Sequence, residues 1–290
     1  MTPSTSATTT TVPIHLLIDA ADALCRAGRW QQATELLDAT TAATPDDRAR
    51  LAVAVATAAL ESDLRSGTQL GPPRMATAAE AMRSSGQEAA AWDLAFLELR
   101  QAYFGQLFGD DETLRFGPNG RDPDDIAELR GRAERVRDQG PDERRRGWAL
   151  MYLGLILDNI AGERDLAPTY YREALACAES TGDDHLTFEA LRHLGDHDHD
   201  DGDHDRARER WERSTASAAR AGLVAGTLAQ QLLLAVLHRD RGDEAGAQAL
   251  AQEIIRWAGA IDATFVRQQA ESFAAGVDPT AAPPDVEGAS

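Results

Sequence analysis

The chain of 290 residues carries a formal net charge of −19. A surface that acidic repels phosphate backbones and anionic bilayers, which excludes nucleic acid and membranes as expected partners. Its 43% hydrophobic content excludes wholesale disorder, and no run approaches the roughly 18 apolar residues of a spanning helix. All 29 basic residues are arginine, and Cys25 and Cys177 match no zinc or CxxC spacing, which predicts reduced thiols in a cytoplasmic protein.

Residues 1–13, MTPSTSATTTTVP, lack the charged start and apolar core of a signal peptide and read as a Ser/Thr tail. From Ile14 an apolar stripe runs through Leu16, Leu17, Ala20, Ala21 and Leu24 to Gly28. A second stripe, Trp30, Ala33, Leu36 and Leu37, ends at Pro45, which predicts a helical hairpin. A helix over 46–65 closes at Ser66 and Gly67, and 68–74 (TQLGPPR) reads as a break before a short helix over 75–83. The long apolar helix 87–108 contains Trp92, Phe96, Leu99, Tyr103 and Leu107. Residues 109–125, GDDETLRFGPNGRDPDD, gather Gly, Pro and Asn and predict a loop insertion, either a lid or a linker; Asp110, Asp111 and Glu112 at its head read as wetted surface. A charged helix over 126–139 follows.

Paired helices are then expected at 144–161 and 165–180, 185–200 and 205–221, and 224–241 and 244–258. A last helix over about 260–275 caps the apolar end, and 277–290 reads as a tail. The expected domains are irregular hairpins over 14–140 and a regular array over 141–276.

Gly162, Gly202 and Gly242 stand 40 residues apart, as do Ala167, Ala207 and Ala247, and Tyr171, Trp211 and Ala251. A fixed period in this range marks a stacked repeat array. The best unit reads Leu194, Gly195, Gly202, Ala207, Trp211, Ser214 and Ala219. Its neighbours read Leu153, Gly154, Gly162, Ala167, Tyr171, Ala174 and Leu234, Ala235, Gly242, Ala247, Ala251, Ile254. The first hairpin fits through Ala21, Gly28, Ala33, Leu37 and Pro45. Small residues let the two helices of a hairpin approach, Gly makes the turn, and the aromatic fills the gap beyond. Each unit resembles a tetratricopeptide repeat, and the 40-residue period resembles the stand-alone arrays of bacterial regulators.

That resemblance implies an all-α, right-handed α-solenoid of about five hairpins whose first helices line a concave groove. The consensus groove positions fall on Trp148, Met151, Leu155, Asp158 and Asn159, on Glu189, Arg192, Asp196, His199 and Asp200, and on Leu232, Val236, Arg239 and Asp240. The basic clamp of chaperone-binding members is not reproduced.

The sharpest local feature is residues 196–205, DHDHDDGDHD, with His193 just before it. His193 and His197 stand at i, i+4, so one helix face could present both to a transition metal, with His199 and Asp200 as further candidate ligands. A calcium loop fits badly, because Gly202 falls one place late and Ala207 sits where a bidentate Glu belongs. The alternative is a solvated helix end, with Asp203 or Asp205 capping the next helix. No GxSxG, HExxH or GxGxxG occurs, so no catalytic residue is assigned and no resident cofactor is expected. The reading is an interaction module that holds a protein or peptide segment in its groove. Arg192 and Arg239 would meet ligand carboxylates, and Asp158, Asp196 and Asp200 ligand cations. The alternative is a small-molecule sensor or enzyme of a bacterial secondary-metabolite pathway, with the insertion closing over Trp92, Tyr103 and Trp148.

Overall fold

The computed structural model describes residues 12–66, 68–108, 114–261 and 263–280. Most of both expected tails, the helix stop at Gly67 and the acidic head of the insertion at Asp110, Asp111 and Glu112 lie outside the described residues. Among those described, the chain forms thirteen helices: α1 Ile14–Arg26, α2 Trp30–Asp38, α3 Pro45–Ser66, α4 Gly71–Met82, α5 Glu88–Leu107, α6 Pro123–Asp138 and α7 Glu143–Asn159, followed by α8 Ala167–Thr181, α9 Asp184–Asp200, α10 His204–Ala221, α11 Val224–Asp240, α12 Glu244–Ala260 and α13 Thr264–Ala274. An isolated antiparallel bridge joins Phe108 and Leu114.

Two stretches read as irregular in the sequence are helical. The Pro72–Pro73 pair lies in the first turn of α4, where a missing N–H costs no hydrogen bond. Asp63 of α3 receives the backbone N–H groups of Leu70 and Gly71 at 2.8 and 2.7 Å, so a distant carboxylate starts this helix. Pro123 likewise opens α6, and Asp122 caps it by accepting from the Asp124 N–H, which shortens the insertion at its C-terminal end.

The chain divides into two compact units within α5: residues 1–25 with 29–94, and residues 95–290 with 26–28. In the first unit, Ala21, Ala33, Leu37, Val55 and Ala58 form a buried cluster that joins α1, α2 and α3, and α3 packs along α4.

In the second unit the 40-residue columns become contacts. Ala167, Ala207, Ala247, Tyr171, Trp211 and Ala251 are all fully buried. Gly202 turns between α9 and α10 with φ +81°, and the column repeats that left-handed turn at Gly162 and Gly242. The packing partners change size in step. A Cβ at Gly154 would lie 2.5 Å from the Tyr171 ring, and one at Gly195 would lie 2.5 Å from Trp211. In the third hairpin the aromatic is replaced by Ala251, and the glycine becomes the buried Ala235. A ring is present where its partner is glycine, and where the ring is absent the partner carries a methyl group, a complementarity that a close-packed interior requires.

Salt bridges tie successive hairpins together: Arg144 to Asp183 at 2.7 Å, Arg164 to Asp200 at 3.0 Å, and Arg213 to Glu179 at 3.0 Å. First helices also meet first helices at two places, α7 against α9 and α11 against α13. Within this unit the first helices therefore form the inner layer.

A candidate binding face on the first helices

The inner layer presents α7 and α9. Residues 149–157 of α7 are buried on every side, because α6, α8 and α9 all pack against this helix. Met151 and Leu155 are only 1% and 9% exposed, so these expected contacts belong to the core. Leu232 and Val236 are equally buried, in a cluster with Val266, Ala270 and Phe273 of α13. The capping helix covers the positions that the consensus would leave open.

The polar positions behave differently. Trp148 is half-buried; its indole N–H donates to Asp183 at 3.1 Å, and its ring meets His185 edge-on at 4.8 Å and Phe96 at 6.4 Å. Asp183 caps α9 by accepting from the N–H groups of His185 and Leu186. Burial raises its pKa, but the Leu186 N–H, Arg144 and the Trp148 indole together outweigh it and hold the carboxyl below the ordinary aspartate range. Beyond Trp148 an aromatic cluster continues, with Phe96 edge-on to Tyr152 at 5.1 Å and Tyr103 edge-on to Tyr152 at 5.6 Å. Asn159 donates to the Tyr103 hydroxyl at 2.7 Å and Arg100 to the Tyr152 hydroxyl at 2.9 Å. Burial holds the Tyr103 hydroxyl protonated, far above its usual titration.

Asp158 accepts the Tyr171 hydroxyl at 3.0 Å and lies 2.9 Å from His197 Nε2. Arg164 approaches His197 Nδ1 at 3.0 Å. A guanidinium can only donate, so Nδ1 accepts and Nε2–H donates to Asp158. Both nitrogens of His197 are thus occupied. His193 stacks on Tyr171 with ring centroids 5.2 Å apart; burial, followed by the nearby charge of Arg192, keeps its pKa well below the usual value. Asp196 accepts the Trp211 indole N–H at 3.0 Å, and burial raises its pKa against the pull of Arg192. Glu189 sits 3.9 Å from His185 and 4.0 Å from His193.

His199 turns towards the next hairpin, with Nε2 2.8 Å from Asp240. The Asp200 carboxylate beside its other nitrogen and the bonded Asp240 outweigh burial and push its pKa up to about 9. Asp200 itself pairs with Arg164. The expected ligand set of His193, His197, His199 and Asp200 is therefore not brought to one point: the first stacks, the second is saturated, the third faces α11, and the fourth holds an arginine. Asp203, rather than Asp205, caps α10 by accepting from the Arg206 N–H.

The two arginines assigned to ligand carboxylates also diverge. Arg239 pairs with Glu244 at 2.9 and 3.0 Å and lies over the Phe273 ring at 3.7 Å. Arg192 is half-buried on α9, close enough to Tyr103 and Asp196 to act on their protonation. Among the described residues no carboxylate comes within ion-pair distance of it.

The described part of the insertion docks on the Tyr103 side, at Asn159, and away from Trp148. Arg121 donates to the carbonyls of Gln106, Arg115 and Gly117, and the Gly117 N–H reaches the Asn159 carbonyl at 2.9 Å. Pro118 packs at Gly162. These contacts lie at the C-terminal end of α7, about 16 Å of helix from Trp148.

No family model matches the chain, and no curated protein matches it by sequence. Among solved structures it is similar to a Rap protein complexed with competence and sporulation factor, at 12% identity and a TM-score of 0.55, covering 89% of this chain and 79% of that one. It is also similar to a Signal Transduction ATPase with Numerous Domains from Pyrococcus horikoshii, a protein with a tetratricopeptide repeat sensor, at 16% identity and a TM-score of 0.50. That match covers 91% of this chain and 39% of the larger protein. At such identities the likeness is one of fold: an all-α, tetratricopeptide-like helical repeat. Among the described residues, no helix is long and apolar enough to cross a membrane.

Proposed function

We propose that the chain is an interaction module that holds a protein or peptide segment along α7 and α9 of its second unit. The observation that carries this reading is Arg192, a half-buried arginine on the inner layer with no carboxylate within ion-pair distance among the described residues. A planar five-donor group is suited to a ligand carboxylate, side-chain or C-terminal. Glu189 and Asp196 sit on either side of it in α9, and the chain's charge of −19 adds a field that draws cations. The favoured ligand is therefore an extended segment with basic residues flanking one carboxylate. Trp148, held by Asp183, offers an apolar edge at the N-terminal end of α9.

The fold supports this reading, since the Rap protein of that fold is complexed with a factor and the Pyrococcus protein uses its repeats as a sensor. The second reading, a small-molecule pocket closed by the insertion, is less favoured because the described part of that loop docks at the far end of α7. Selection of a displayed random linear peptide library against the immobilised protein tests the proposal. Enriched peptides should carry a carboxylate between basic residues and lose at least about tenfold in affinity with Arg192→Gln, the value of one charge-assisted contact. Failure to enrich any peptide, or equal binding by Arg192→Gln, overturns it.

A further inference from the structure

The His/Asp cluster acquires a different meaning across the hairpin boundary. His199 ends α9, His204 opens α10, and Asp240 ends α11. The turn at Gly202 folds His204 back until its ring lies 5.2 Å from that of His199. The next hairpin brings Asp240 to His199 Nε2 at 2.8 Å. One ligand atom from each of the three residues lies within 4.8 Å of the other two.

We infer that His199, His204 and Asp240 form a divalent transition-metal site that staples two successive hairpins. Two imidazoles and a carboxylate suit zinc, cobalt or nickel. Ligand atoms around a tetrahedral ion with bonds of roughly 2.0–2.1 Å stand about 3.4 Å apart, so the set must draw in by a little over 1 Å at its widest. A metal ion here takes the place of the proton shared between His199 and Asp240, as imidazole ligation requires.

The surroundings are built for this. His199 is pressed against Trp211, with ring centroids 5.3 Å apart, which holds its ring in place. Its Nδ1 is buried without a hydrogen-bond partner among the described residues, and the Asp200 carboxylate lies 3.7 Å away. A metal-bound histidine usually donates its second N–H to such an outer carboxylate, and Asp200 is the nearest one, beyond hydrogen-bond reach as it stands. The neighbouring cations are already engaged, Arg241 by Asp205 and Arg164 by Asp200.

The test is a titration of the untagged full-length chain, never exposed to a metal column, with cobalt and with zinc at pH 8. The site predicts one ion per chain, visible as cobalt ligand-field absorption and by calorimetry. Affinity should fall at least about tenfold in His204→Ala and in Asp240→Asn, but not in the control His193→Phe. Zinc should raise the melting temperature of the parent chain and leave that of His204→Ala unchanged. No binding, binding unaffected by both substitutions, or binding lost instead with His193→Phe overturns the inference. Circular dichroism of each variant separates loss of the site from loss of the fold.

Discussion

The second and third hairpins of the regular array, α9–α10 and α11–α12, share one backbone plan and differ along nearly every inner position. Forty residues on, Asp183 becomes Leu223, Arg192 becomes Leu232, His193 becomes Leu233, Asp196 becomes Val236 and Trp211 becomes Ala251. In the second hairpin the aromatic of the second helix reaches through to the inner layer, where the Trp211 N–H meets Asp196. In the third, Ala251 carries no such group, and the inner positions Leu232 and Val236 are apolar and lie under α13. A repeat can thus spend its first helix on packing or on a polar face. The choice follows from what covers it: α11 supports the end of the array, and α9 keeps charged and hydrogen-bonding groups.

The largest effect expected from breaking this contrast is at Trp211. Trp211→Ala removes the fully buried ring and leaves Gly195 facing a void, which should cost about 3–5 kcal/mol in denaturant unfolding. Gly195→Ala drives a Cβ into the indole and should cost about 1–3 kcal/mol. Combined with Trp211→Ala, its added cost should shrink, because the clash has gone. Asp183→Leu converts the cap of α9 to the residue that starts α11 and should cost about 1–2 kcal/mol. Since the Asp183 pKa is lowered in the fold, its contribution is present above an unfolded value of about 3.9 and lost as pH falls through the folded value. An acid-unfolding series with the variant should therefore lose that part of the acid transition.

The smallest effect is a slope. Folded His193 resists protonation, while the unfolded residue titrates near about 6.5. Below that pH the unfolded chain binds a proton that the folded one does not, so stability declines as pH drops, by at most about 1.4 kcal/mol per pH unit. His193→Phe keeps the stack on Tyr171 and should flatten melting temperature against pH between roughly 6.5 and 5; an unchanged slope would place the titration elsewhere.

The helices and their pairing were legible because the 40-residue columns encode local contacts: a small residue, a turn glycine and a filler. The start of α4 was not legible, since it depends on Asp63 in another helix. The consensus groove positions transferred only in part. Burial of Met151 and Leu155 comes from α7 being packed on all sides, and that of Leu232 and Val236 from the cap; both depend on neighbours outside the repeat. The His/Asp run drew attention to the turn at Gly202, but the partners of its histidines follow from the stacking of hairpins. His199 meets Asp240 one repeat later, a pairing that the 40-residue column brackets to within one position.

The central claim is that the layer made by α7 and α9 receives the ligand. Hydrogen–deuterium exchange of the full chain, with and without a peptide recovered by display, tests it directly. The account predicts new protection concentrated in α7 and α9 around Trp148 and Arg192, with α8 and α10 unchanged. Protection confined to α8, α10 or α12 would contradict it.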